Sequence, residues 1–140
     1  MRLRDKMIFV NGCFDILHPG HIELLKRAKG LGGELVVAID SDERVAEMKG
    51  DSRPINNQET RKCILESIKY VDAVVIFNSS EQLETIVKTL KPDIMMVGSD
   101  WKGKTVIGSD YAKEVRFFDR IPGYSTTEII ERIADRGVLL

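Results

Sequence analysis

Short, continuously apolar runs alternate with amphipathic stretches along this chain, and the two patterns predict two kinds of element. Met7 to Val10, Leu35 to Ile39, Ala73 to Phe77, Ile94 to Val97 and Val115 to Phe118 lack polar alternation, as strands buried on both faces do. Between them, apolar residues recur at helical spacing. Ile22, Leu24, Leu25 and Ala28 form one such face, closed by Gly30, Gly32 and Gly33. Asp42 to Met48 reads as a short helix, and Ile64, Leu65, Ile68 and Val71 read as the inward face of the next. Glu81 to Leu90, broken by Lys91-Pro92-Asp93, and Ser125 to Ala134 complete the set. Lys49 to Asn57 and Ser99 to Gly108 are polar and Gly-containing, and read as loops. Strands each followed by helix predict a parallel sheet covered on both faces, a doubly wound α/β domain. Ligands of such sheets bind beyond the carboxyl ends of the strands, so the chemistry is expected just after Val10, Ile39, Val97 and Phe118.

Composition narrows the functional classes. The 140 residues, 43% of them hydrophobic, suffice for a single domain over residues 1–140 with a real core, and not for two. Lysine and arginine number 21 against 22 acidic residues, so no global field draws the chain to nucleic acid or an anionic membrane, and any bound anion must be held locally. No apolar run approaches the roughly 20 residues of a membrane span, and the first residues lack a signal-peptide core. Cys13 and Cys63 have no metal-ribbon or redox spacing. A cytoplasmic protein with reduced thiols is expected.

Both histidines of the chain lie in one tetrapeptide, His18-Pro19-Gly20-His21, directly after the first strand and its Gly12-Cys13-Phe14-Asp15 loop. Pro19 suits the first turn of a helix, and Gly20 lets backbone approach a ligand closely. The imidazoles therefore flank a helix N-terminus, where free N–H groups and the positive dipole end attract phosphate. A metal is the competing reading, but two imidazoles with one nearby thiol fall short of a ligand set, and a fortuitous pair on a loop is the other. Gly12 has no G-x-G-x-x-G continuation, which removes a dinucleotide fingerprint. Near the other end, Arg120 and Gly123-Tyr124-Ser125-Thr126-Thr127-Glu128 again join a strand to a helix. Ser125 with Glu128 fits a capping box. The cation and the further hydroxyls beside them make a second place for phosphate oxygens. Two anion sites at one sheet edge suit a polyphosphate.

These residues resemble the cytidylyltransferase-like branch of the nucleotidylyltransferases, with its HxGH signature at His18 to His21 and its Ser-Thr-Thr signature at Ser125 to Thr127. The resemblance covers essentially the whole chain and implies a Rossmann-like, doubly wound, five-stranded parallel sheet. Two families of the branch compete. The segments around Gly12 to Gly32, Glu59 to Asp72, Gly98 to Lys104 and Arg120 to Thr127 resemble bacterial glycerol-3-phosphate cytidylyltransferase. Lys49 to Asn56 and Val106-Ile107-Gly108 resemble the adenylyltransferase domain that makes ADP-heptose from heptose 1-phosphate.

The resemblance implies attack by an acceptor phosphate on the α-phosphorus of a nucleoside triphosphate, with Mg²⁺ as cofactor and pyrophosphate as leaving group. His18, His21, Lys49 and Arg120 are the expected catalytic residues. Gly12, Cys13, Phe14, Asp15, Gly20, Gly98, Asp100, Trp101, Gly123, Tyr124, Ser125, Thr126 and Thr127 join His18, His21 and Arg120 in the expected nucleotide site. Lys49, Arg61 and Lys69 are the acceptor-site candidates, and no metal ligand of the protein is assigned. Cys13 is expected to pack rather than react. The expected partners are a nucleoside triphosphate, a small phosphorylated acceptor and a second copy of the chain. The Trp101-to-Lys104 segment and Arg120 favour CTP with glycerol 3-phosphate. ATP with heptose 1-phosphate is the alternative, and a nucleotide-sensing domain is the non-enzyme alternative.

Overall fold

The computed structural model describes residues 6–137. Five parallel strands, β1 (Lys6–Gly12), β2 (Gly33–Asp40), β3 (Ala73–Phe77), β4 (Ile94–Gly98) and β5 (Glu114–Phe118), form one sheet in the order β3-β2-β1-β4-β5. Ile8, Phe9 and Val10 of β1 and Leu35 to Ile39 of β2 are all buried, which is why these central strands carry no polar alternation. Successive residues feed opposite faces. Ile8, Val10, Leu35, Val37 and Ile39 pack with Leu25, Ala28 and Leu65, whereas Phe9, Val36, Ala38 and Met95 pack with Phe77, Leu83 and Val87.

The helices α1 (Pro19–Gly30), α2 (Asp42–Lys49), α3 (Gln58–Glu66), α4 (Ser80–Leu90) and α5 (Thr126–Gly137) follow their strands, with 3₁₀ turns at Ser99–Trp101 and Ser109–Tyr111 inside the loop regions after β4. Ser41, Asn57 and Ser79 cap α2, α3 and α4 by accepting the N–H three residues on. The helix expected to carry Ile68 and Val71 ends earlier, at Glu66. Its pattern runs on through turns closed by Ile68 N–H to Leu65 O and Val71 N–H to Ile68 O, and both side chains still pack on the core.

Strand order fixes where a ligand can sit. The chain winds outward from β1 through β2 to β3, then returns to place β4 on the other side of β1. The crevice at this reversal lies beyond Gly12 and Gly98, the carboxyl ends of β1 and β4.

Candidate functional site

The loop after β1 is tightly wound. Phe14 and Ile16 both adopt positive φ, 51° and 47°, a region that non-glycine residues enter at a cost. Asp15 between them is 2% exposed. Its carboxylate accepts the N–H groups of Ile55 at 2.6 Å and Asn56 at 2.9 Å, fastening the polar loop that begins at Lys49 onto the β1 loop. The Asp15 carbonyl accepts the Thr126 hydroxyl at 2.7 Å, which ties the start of α5 to the same place.

His18 is the N-cap of α1, and the two histidines cap the helix reciprocally. His18 Nδ1 accepts the Gly20 N–H at 3.1 Å, while His21 Nδ1 accepts the His18 N–H at 3.2 Å. The rings stack with centroids 3.8 Å apart. An Nδ1 that accepts a backbone N–H cannot carry a proton, so both rings are held as the neutral tautomer with the proton on Nε2. Burial lowers the His21 pKa to about 4, helped by His18 and Lys49, and burial lowers that of His18. Each ring thus offers an Nε2–H donor at neutral pH. Gly20 is required here, because a Cβ would lie 2.8 Å from His18 Cε1 and 2.9 Å from its Nδ1.

These rings open on a cleft of about 510 Å³ that also takes in Gly20, Lys49, Gly98, Asp100, Trp101, Arg120 and the segment from Tyr124 to Thr127. It therefore brings together the loops after β1, β4 and β5 and the N-termini of α1 and α5. Arg120 and Asp100 face each other at 3.6 Å, both largely exposed. Trp101 and Tyr124 are 47% and 44% exposed, leaving flat aromatic surface free for a ligand. The Ser125 hydroxyl caps α5 through the Glu128 N–H at 3.0 Å. The Thr126 hydroxyl is donated to Asp15, and Ser125, Thr126 and Thr127 at the start of α5 line the cleft.

Several expected site residues lie elsewhere. Gly12, Cys13, Phe14 and Asp15 form the wall beneath the histidines without lining the cleft, and Gly123 sits in a turn at φ 87°. Cys13 Sγ lies 3.6 Å from an Asp40 carboxylate oxygen, and burial together with that charge pushes its thiol up to about 11, which disfavours the thiolate. Lys69 lies over the Tyr70 ring, away from the cleft. Arg61, expected at the acceptor site, lies within the fold and off the cleft wall. Its guanidinium is fully buried and donates to Asn56 O, Cys13 O, Asp40 O and Asp42 Oδ1 at 2.8 to 2.9 Å. It joins the ends of β1 and β2 to the starts of α2 and α3, with four of its five N–H donors engaged within the fold. Sequence reasoning also misses Arg53, half-buried beside Asp15.

Residues 9–132 match the family model described as cytidylyltransferase-like. The chain is 52% identical over 132 residues to the bifunctional protein HldE of Campylobacter concisus, and 52% identical over 128 residues to that of a Nitratiruptor species. These alignments cover 94% and 91% of the chain, which spans 28% of the length of each relative. Among solved structures, the lipopolysaccharide core biosynthesis protein from Thermoplasma volcanium superposes with a TM-score of 0.66 at 31% identity, covering 86% of this chain and 99% of that one. A pantoate-beta-alanine ligase from Francisella tularensis shares the fold alone, with a TM-score of 0.59 at 17% identity over 94% of this chain and 69% of its own. With the family model matched over nearly its whole length and the paired histidines seated at the crevice of the sheet, the chain belongs to the cytidylyltransferase-like family of nucleotidylyltransferases.

Proposed function

We propose that this chain transfers AMP from ATP to the phosphate of heptose 1-phosphate, giving ADP-heptose and pyrophosphate. The observation that carries the reaction type is the meeting of two helix N-termini in one cleft, one of them bearing two neutral imidazoles with outward Nε2–H donors. An acceptor phosphate oxygen forms the new bond to the α-phosphorus. The bond to the bridging β-oxygen breaks, and pyrophosphate leaves with the electron pair. The acceptor is already an anion, so no base is needed, which agrees with histidines that stay neutral. His18 and His21 donate to phosphoryl oxygens as these gain charge, Lys49 and Arg120 add positive charge, and the backbone N–H groups at the start of α5 hold the β- and γ-phosphates. Asp100 exchanges its contact with Arg120 for the nucleotide.

Among the described residues, no group of three His, Cys, Asp or Glu side chains is arranged to hold a metal ion. A dedicated protein cage for Mg²⁺ therefore does not fit this site. Mg²⁺ would come with the nucleoside triphosphate and neutralise phosphate charge, as the ion is commonly carried by substrate phosphates.

The choice of substrate reverses the preference for CTP and glycerol 3-phosphate. The HldE relatives support the heptose alternative, and so do the Lys49-to-Asn56 loop and Val106-Ile107-Gly108, which resemble the ADP-heptose family. Pyrophosphate release measured for ATP and CTP, each with heptose 1-phosphate and glycerol 3-phosphate, tests the proposal. ATP with heptose 1-phosphate is expected to give the highest kcat/KM. A higher value for CTP with glycerol 3-phosphate restores the first preference, and triphosphate binding without turnover on either acceptor turns the reading to a nucleotide sensor.

A further inference from the structure

Two arginines with little-exposed side chains, Arg53 within the loop that Asp15 fastens and Arg61 just after it, differ in one respect. Arg61 directs its N–H groups to three carbonyls and a carboxylate. Arg53 has a side chain only 11% exposed, makes no side-chain hydrogen bond among the described residues, and keeps a buried Nε with no partner. The anion beside it is Asp15, with Oδ2 at 3.8 Å from that Nε, beyond hydrogen-bond reach. Both Asp15 oxygens are already occupied by the Ile55 and Asn56 N–H groups. A buried Nε–H without an acceptor is costly to the fold, while the Nη groups, which no hydrogen bond of the fold engages, are open to an acceptor from outside.

Its position says which acceptor. Arg53 does not itself line the cleft; it stands behind that wall, beside the Asp15 carboxylate that acts on His21 and in the loop that starts at the cleft residue Lys49. The triphosphate already has the helix N-termini, the histidines and Arg120. We propose that Arg53 binds the phosphate of the second substrate, taking the oxygens that do not attack and so turning the attacking one toward the α-phosphorus. A planar guanidinium suits this task, since it grips two oxygens of one phosphate at once. The assignment deepens the transferase reading given above and rests on it for the second substrate being a phosphate.

Arg53→Gln and Arg53→Lys, compared with wild type, test it. Inorganic phosphate is titrated calorimetrically onto the protein saturated with MgATP analogue, the analogue is titrated alone, and each protein is melted. Arg53→Gln is expected to weaken phosphate binding about tenfold or more, with Arg53→Lys between it and wild type. Analogue affinity is expected to stay within about twofold, and Tm to fall only as far as loss of the 3.8 Å ion pair with Asp15 requires, because no hydrogen bond of the fold is lost. Unchanged phosphate affinity, equal loss of phosphate and analogue, or wild type that binds no phosphate at millimolar concentration overturns the proposal. So does an Arg53→Gln protein that melts well below wild type or does not fold, since the arginine is then part of the fold. Wild type that holds phosphate through Arg53 but does not turn over ATP with heptose 1-phosphate refutes the proposed substrate and leaves this assignment standing.

Discussion

Replacing Gly20 by Ala adds one methyl group at the place where the two histidines are held. The new Cβ would lie 2.8 Å from His18 Cε1 and 2.9 Å from Nδ1, well inside the roughly 3.5–4.0 Å at which nonbonded carbons rest. The ring has to swing away from the helix end, and the Gly20 N–H to His18 Nδ1 bond is lost with it. Losing such a cap costs about 1 kcal/mol, while alanine in place of glycine within the first turn returns about 0.5–1 kcal/mol. The two nearly cancel, so urea unfolding of Gly20→Ala is expected to stay close to wild type. Turnover is a different matter. A displaced His18 no longer aims its Nε2–H at the phosphoryl oxygens, and removal of one preorganised donor lowers kcat by about 10²–10³. Pyrophosphate release, urea melts and ¹⁵N shifts of the imidazoles measured on the same sample separate the two effects. A Gly20→Ala protein with kcat within about threefold of wild type and an unprotonated His18 Nδ1 would refute the argument that this glycine exists to seat the ring.

Other perturbations read other parts of the molecule. Arg61→Met strips four hydrogen bonds from buried partners and is expected to destabilise by about 3–5 kcal/mol in urea; a loss below about 1 kcal/mol contradicts its role in joining the strand ends. His21 is held below its ordinary 6.5, at about 4, so the unfolded chain binds the extra proton first as the pH drops. Its contribution is intact above pH 6.5 and fades toward pH 4, by about 3 kcal/mol at most. The stability gap between wild type and His21→Asn should shrink over that range, and a constant gap argues against the neutral ring. Iodoacetamide at pH 8 should modify exposed Cys63 well before Cys13, as peptide mass spectrometry can read, and Cys13→Ala should keep its kcat. Preferential alkylation of Cys13 contradicts its buried, protonated thiol.

How much of this is legible in the sequence depends on the range over which each signal acts. Leu35 to Ile39 announce a central strand because burial on both faces leaves no room for a polar residue. His18 to His21 announce a helix start because Pro19 and Gly20 restrict the backbone locally. The role of Arg61 is illegible for the opposite reason. Its partners lie up to 48 positions away, and the loops that carry them meet only in the folded sheet. From spacing alone it reads as a surface cation at the start of a helix. Thr126 behaves likewise, since its hydroxyl reaches an oxygen 111 residues earlier, and a phosphate signature gives no hint that one of its hydroxyls closes the fold. Arg53 escapes notice because its distinguishing property, a buried Nε without a hydrogen-bond partner, is visible only once everything around it is in place.

The strand order also bears on how the chain is made. Of the five strands described, the first to be synthesised is the middle one of the sheet, paired with residues 33–39 on one side and with Ile94 and Met95 on the other. From the emergence of β2 until that of β4, one edge of β1 stands open with Ile8, Phe9 and Val10 on it, an apolar template for another nascent chain. Segments 42–93 are thus translated over an unfinished edge. Pauses in synthesis before residue 94, or fragments that end there, are expected to favour aggregation far more than equal delays after β4 has docked.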